Sequence, residues 1–99
     1  MIIVTGTIEL DPSGIDKARA AAAEMMTETH KEAGCHVYEF SQVIGSDTVF
    51  RVYEEWEDME ALTAHFHAPH MVTFRAAMAE VGVVARNIFR MQAGERTAI

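Results

Sequence analysis

"HVYEFSQVIGSDTVFRVYEEWE", His36–Glu57, is the stretch whose reading decides the fold. Tyr38, Phe40 and Ile44 alternate with polar Glu39 and Ser41, and beyond the turn Phe50, Val52 and Trp56 alternate with Arg51, Tyr53 and Glu55. A period of two is the mark of a pleated strand, and "GSD" between two such runs marks a hairpin. The second face is not cleanly polar, because Val37, Val43, Val49 and Tyr53 share it. A sheet with one face in water alternates more cleanly than this. Both faces are therefore expected to be covered.

Working outward, "MIIVTGTIEL" alternates loosely, with Ile2, Val4, Ile8 and Leu10 on one side and Ile3, Thr5, Thr7 and Glu9 on the other. It reads as a first strand. "DPSGID" then opens a helix, with Asp11, or Ser13 together with Asp16, as the capping group. Ile15, Ala18, Ala22, Met25 and Met26 form its apolar stripe, and Gly34 is expected to end it. After the hairpin, Asp58 caps a second helix carrying Met59, Leu62 and Phe66, with His65 at the edge of the buried stripe. Pro69 interrupts that helix, since it lacks an N–H donor and clashes one turn back. Helical spacing resumes over 70–81 with Met71, Phe74, Met78 and Val81; Gly82 closes it, and "VVARNIF" is the last strand.

The order βαββαβ predicts an α+β fold, a ferredoxin-like plait with both helices on one side of an antiparallel sheet. Residues 1–92 make one domain and 93–99 a polar tail. No chain is left to cover the second apolar face, so a homodimer joined through its sheet faces is expected, forming a dimeric α+β barrel.

Bulk properties narrow the partners. The 99 residues carry 8 basic and 15 acidic side chains, a formal charge of −7, and that field repels nucleic acid. No apolar run is long enough to span a membrane. Cys35 is the only cysteine and the N-terminus lacks a basic leader, which suits a cytoplasmic location.

"AHFHAPH", Ala64–His70, holds three of the five histidines. On a helix His65 and His67 face opposite ways, and Pro69 disturbs the pairing of His67 with His70, so no metal site is expected. His65 is the inward candidate, His67 points outward, and His70 opens the second helical segment. His30 and His36 flank the end of the first helix, where exposure or a contact with the helix terminus is expected. Glu54 alternates with Val52 and Trp56 and is expected to face inward, with Arg86, Arg90 or a histidine as partner. Asn87, on the same face as Ala85 and Phe89, is expected to be a second buried polar group. Cys35 carries no sign of activation.

"FRVYEEWEDMEALTAHFHAPHM" resembles the signature of the antibiotic biosynthesis monooxygenase family: Glu54-x-Trp56 at a strand end, Ala61-Leu62-x-x-His65 on a helix, and His70 soon after. "EAGCHVYEF" is similar to that family's approach to the hairpin. The resemblance implies a dimeric α+β barrel that oxygenates quinols or anthrones with O2 and without metal, flavin or other cofactor. A haem-degrading branch is marked by an asparagine on the first strand and a tryptophan in the second helix; here Thr5 or Thr7 and His65 or Phe66 stand instead.

The expected enzyme is a cofactor-free monooxygenase. His65 is its base, with His70 as a second polar candidate. Trp56, Phe40, Phe66 and Phe74 wall an apolar pocket for a small aromatic substrate, and Tyr53 and Asn87 add polar contacts. Competing readings are an aromatic-binding domain without chemistry, or an isomerase or cyclase on the same scaffold.

Overall fold

A computed structural model describes residues 1–99. Strand β1 (Ile2–Leu10) leads through a short 3₁₀ turn to helix α1 (Ile15–Thr29), and β2 (Cys35–Gln42) and β3 (Val49–Trp56) form the hairpin. Helices α2 (Met59–Phe66) and α3 (Pro69–Val81) follow, and β4 (Val83–Gln92) ends the fold. The sheet order is β2-β3-β1-β4, every neighbouring pair antiparallel. This is the ferredoxin-like plait that the order of elements predicts.

Pairing register assigns the two faces. Val4 lies opposite Glu54 and Arg90, and Ile8 opposite Phe50 and Arg86, so these residues share one face with Ile2, Val52 and Trp56. That face meets the helices. Ile2, Val4, Tyr38, Val52 and Trp56 bury against Met25 of α1 and Leu62 of α2. Ile8, Leu10 and Phe50 bury against Ala18 of α1 and Met78 and Val81 of α3. Burying side chains of this size contributes roughly 1.5–3 kcal/mol each.

On the opposite face Thr5 lies between Tyr53 and Phe89, and Thr7 between Arg51 and Asn87. No helix covers it. Phe89 is 65% exposed and Met91 47%. No helix is long and apolar enough to cross a membrane.

Local signals explain most boundaries. Asp11 accepts from Ser13 N–H at 2.9 Å and Asp58 from Ala61 N–H at 2.9 Å, the caps that free helical N–H groups require. Pro69 stands in the first turn of α3, where a missing N–H is harmless. Three boundaries differ from expectation. Helix α1 stops at Thr29, five residues before Gly34, which instead makes a left-handed turn at φ 81°. Ile44 lies beyond β2 in the turn and is fully exposed. The last strand continues through Gln92, held by its ladder to β1.

Candidate active site

Between α3 and the covered face of the sheet lies a cavity of about 400 Å³ with an apolar wall that includes Val4, Val52, Phe40, Phe74 and Met78. Glu54, Arg75 and Arg86 are its charged members, and Tyr38 also lines it. Glu54 is buried. Its Oε1 accepts a hydrogen bond from Trp56 Nε1–H at 2.8 Å. Burial disfavours the anion more than the indole bond and the neighbouring Glu32 alter it, and the carboxyl is pushed up to about 7. Burial likewise drives the Tyr38 phenol well above its ordinary range. The expected partners of Glu54, Arg86, Arg90 or a histidine, are thus replaced by an indole two residues along the same strand.

Behind this wall sits a hydrogen-bonded cluster. Glu32 Oε2 accepts from His65 Nδ1 at 2.6 Å and from His70 Nε2 at 2.7 Å. The His65 ring is fully buried, 4.8 Å from the Trp56 ring and 5.4 Å from Tyr38, centroid to centroid. Burial lowers its basicity against the pull of Glu32, favouring the neutral ring. With Nδ1–H given to Glu32, Nε2 carries the lone pair, and that atom is buried without a partner.

The loop holding Glu32 reaches α2 because residue 34 is glycine: a Cβ there would lie 2.6 Å from Ala61 Cβ. Glu57 N–H also donates to Gly34 O at 2.8 Å. Glu32, His65 and His70 each offer a ligand atom within 4.8 Å of the others, so a carboxylate and two imidazoles could hold a divalent cation. Histidine spacing had argued against a metal there; Glu32, thirty-three residues before His65, supplies a third donor that spacing among histidines cannot reveal.

Placement divides the sequence candidates. Phe40 and Phe74 line the cavity, their rings 5.4 Å apart. Trp56 and His65 lie behind its wall, and His70 joins His65 through Glu32. Phe66 does not wall the cavity: it is 40% exposed, and His65, not Phe66, shares the buried stripe with Leu62. Tyr53 stands on the uncovered face, its hydroxyl donating to Glu55 Oε2 at 2.7 Å. Asn87 lies exposed on the same face, opposite Thr7, because β4 is an edge strand with no second layer over it.

The outer histidines are tied locally. His30 Nε2 donates to Tyr38 O at 2.8 Å, and His36 Nε2 pairs with Glu57 at 2.6 Å. His67 is exposed. The Cys35 thiol is pushed up to about 11 by burial and by Glu32 and Glu54, which makes it a poor nucleophile.

The family model described as antibiotic biosynthesis monooxygenase matches residues 1–77. A provisionally assigned antibiotic biosynthesis monooxygenase of Deinococcus radiodurans superposes with a TM-score of 0.93 at 24% identity, covering 100% of this chain and 98% of that one. Rv0793 of Mycobacterium tuberculosis gives a TM-score of 0.88 at 21% identity over 98% of both chains. At these identities the likeness is one of fold. Protein sll1783 of Synechocystis is 29% identical over 73 residues, 74% of this chain and 50% of that protein. The chain thus spans about half the length of that curated relative.

Proposed function

The chain belongs to the antibiotic biosynthesis monooxygenase family, and from that premise we propose that it oxidises a small electron-rich aromatic, a quinol or an anthrone, with O2 and no cofactor. One observation carries the reading: a buried carboxyl poised near 7 faces a largely apolar cavity of about 400 Å³. Dioxygen is a triplet and reacts slowly with closed-shell molecules, whereas a phenolate or enolate passes it one electron readily. The enzyme's task is then to remove a proton and to keep water away.

Glu54, ionised, takes that proton from the substrate. The anion gives an electron to O2, and the resulting radical pair recombines into a carbon-bound peroxide. For an anthrone the peroxide then loses water, so a CH2 group and O2 become a ketone and H2O. Trp56 Nε1–H steadies the Glu54 carboxylate. His65, aligned by Glu32 through Nδ1, is a positioning residue whose ring supports the Trp56 indole, and His70 anchors Glu32 from α3. In this reading the protein works as a homodimer through its uncovered sheet face and resides in the cytoplasm.

Oxygen uptake with a panel of hydroquinones and anthrones tests the proposal. Glu54→Gln is expected to lower kcat/KM by about 10²–10⁴-fold. Wild-type kcat/KM is expected to rise with pH through about 7 and then level off, because the ionised carboxyl is the active form. A flat profile, or full turnover by Glu54→Gln, removes Glu54 from the chemistry. Isomerised product without oxygen uptake would favour the isomerase alternative, which needs only the same proton transfer.

A further inference from the structure

Glu32, His65 and His70 form a cluster that the proton transfer at Glu54 does not itself require. Glu32 Oε2 takes both histidine bonds, from His65 Nδ1 at 2.6 Å and His70 Nε2 at 2.7 Å, and Glu32 Oε1 has no partner in the chain. The three groups come from three segments: the turn after α1, the last turn of α2 and the first turn of α3. In an unbroken helix residues five apart face about 140° away from each other. The break at Ala68 and Pro69 instead brings the two imidazole rings to 6.1 Å, centroid to centroid. Three ligand atoms then lie within 4.8 Å of one another.

This donor set suits one kind of cation. Zinc accepts two imidazoles and a carboxylate, whereas magnesium and calcium favour shells of oxygen. Around tetrahedral zinc, ligand atoms about 2.0–2.1 Å from the metal stand roughly 3.4 Å apart, so Glu32 Oε2 would draw back about 0.7 Å from each nitrogen. The side chains of Glu32 and His70 are 15% and 18% exposed, which leaves an open edge for that shift and for a water ligand. A chain of charge −7 attracts a cation. The opposing charge near His65 is Arg75, one of whose N–H groups is held by Phe66 O at 3.1 Å.

We propose that Glu32, His65 Nδ1 and His70 Nε2 bind one zinc ion per chain, with water as the fourth ligand. Each neutral ring then carries its proton on the other nitrogen, Nδ1 in His70 and Nε2 in His65. The His65 Nε2 atom has no partner in the chain with or without the ion. Zinc here fastens the turn after α1 to both α2 and α3. It also fixes the His65 ring, which stands 4.8 Å from the Trp56 ring, and takes no part in the oxygen chemistry.

The test dialyses chelator-stripped protein against zinc chloride and counts bound metal. One ion per chain is expected, with a Kd that is roughly micromolar or tighter. Zinc is expected to raise the urea midpoint, which magnesium chloride should not do. His70→Ala and Glu32→Gln are each expected to weaken binding by roughly a hundredfold or more. The glutamine oxygen still accepts both histidine bonds, so Glu32→Gln separates lost metal from lost folding. His36→Ala, which removes the other imidazole–carboxylate pair, is expected to bind zinc as wild type does. No retained zinc, binding that survives in both ligand variants, or binding lost in His36→Ala overturns the proposal. Oxygen uptake that depends on zinc would sink the cofactor-free reading and leave the zinc site standing. Full uptake by a chain that never retains zinc would do the reverse.

Discussion

At the scale of single residues, Glu54 concentrates the consequences. Folded, it holds its proton up to about 7, whereas the unfolded chain releases it near the ordinary 4.5. Between those values the folded state binds more protons, so this group's contribution to stability is greatest below about 4.5 and falls as pH rises to about 7. The loss is on the order of 3 kcal/mol. His65 acts in the opposite sense: its lowered basicity costs stability in acid, and the cost fades as pH rises towards the ordinary 6.5. Comparing Glu54→Gln with wild type cancels the His65 contribution. The variant is expected to match wild type in urea midpoint near pH 4.5 and to exceed it at pH 8; an unchanged gap would show that Glu54 is not held neutral. Its inward aim was legible in the alternation Val52, Glu54, Trp56. Its partner was not, because an indole N–H on the same strand face carries no charge to mark it as the mate of a carboxylate. Glu32 was still less legible, since a loop carboxylate has no periodicity and its histidine partners lie 33 and 38 residues away.

At the scale of elements, caps and breakers wrote their positions into the sequence, while the segment between α1 and β2 did not. Asp11, Asp58, Pro69 and Gly82 each act through a local backbone requirement, so each could be read in place. Gly34 was assigned a helix end by the same logic, but its role depends on α2, a partner distant in sequence. Two penalties meet there: a left-handed φ of 81° and a Cβ position 2.6 Å from Ala61 Cβ. Gly34→Ala is expected to cost roughly 2–3 kcal/mol and to displace the loop that delivers Glu32 to His65 and His70. Urea unfolding measures the first effect. The second is read from the imidazole NMR chemical shifts of the two histidines at fixed pH, which should both move once the hydrogen bonds to their common carboxylate are lost. Asp58→Ala, which removes only the α2 cap, is expected to cost about 1 kcal/mol and to leave those chemical shifts unchanged. Equal effects from the two variants would mean that Gly34 matters only for general stability.

At the scale of the whole molecule, the sheet has one face too many for the helices it owns. The sequence showed this surplus, because a strand cannot hide its period of two, and the structure locates it: Phe89 and Met91 stand exposed beside Ile3, Thr5 and Tyr53. The occupant could not be read, since what covers a face is not encoded on that face alone. A second copy suits it for a physical reason. Thr5 lies between Tyr53 and Phe89, and the Tyr53 hydroxyl is already tied to buried Glu55, so an apolar centre sits beside a satisfied polar group. A two-fold axis through such a patch places each contact twice, and a single change is then felt twice. At micromolar concentration the chain is expected to scatter light as a particle of twice its 11.0 kDa. Phe89→Glu sets two carboxylates against each other across the axis and is expected to give a monomer. Trp56 is buried on the far side of the sheet, so its near-ultraviolet circular dichroism should persist in that monomer. A wild-type monomer at that concentration would refute the dimer. A Phe89→Glu protein that stayed dimeric would move the interface off this face.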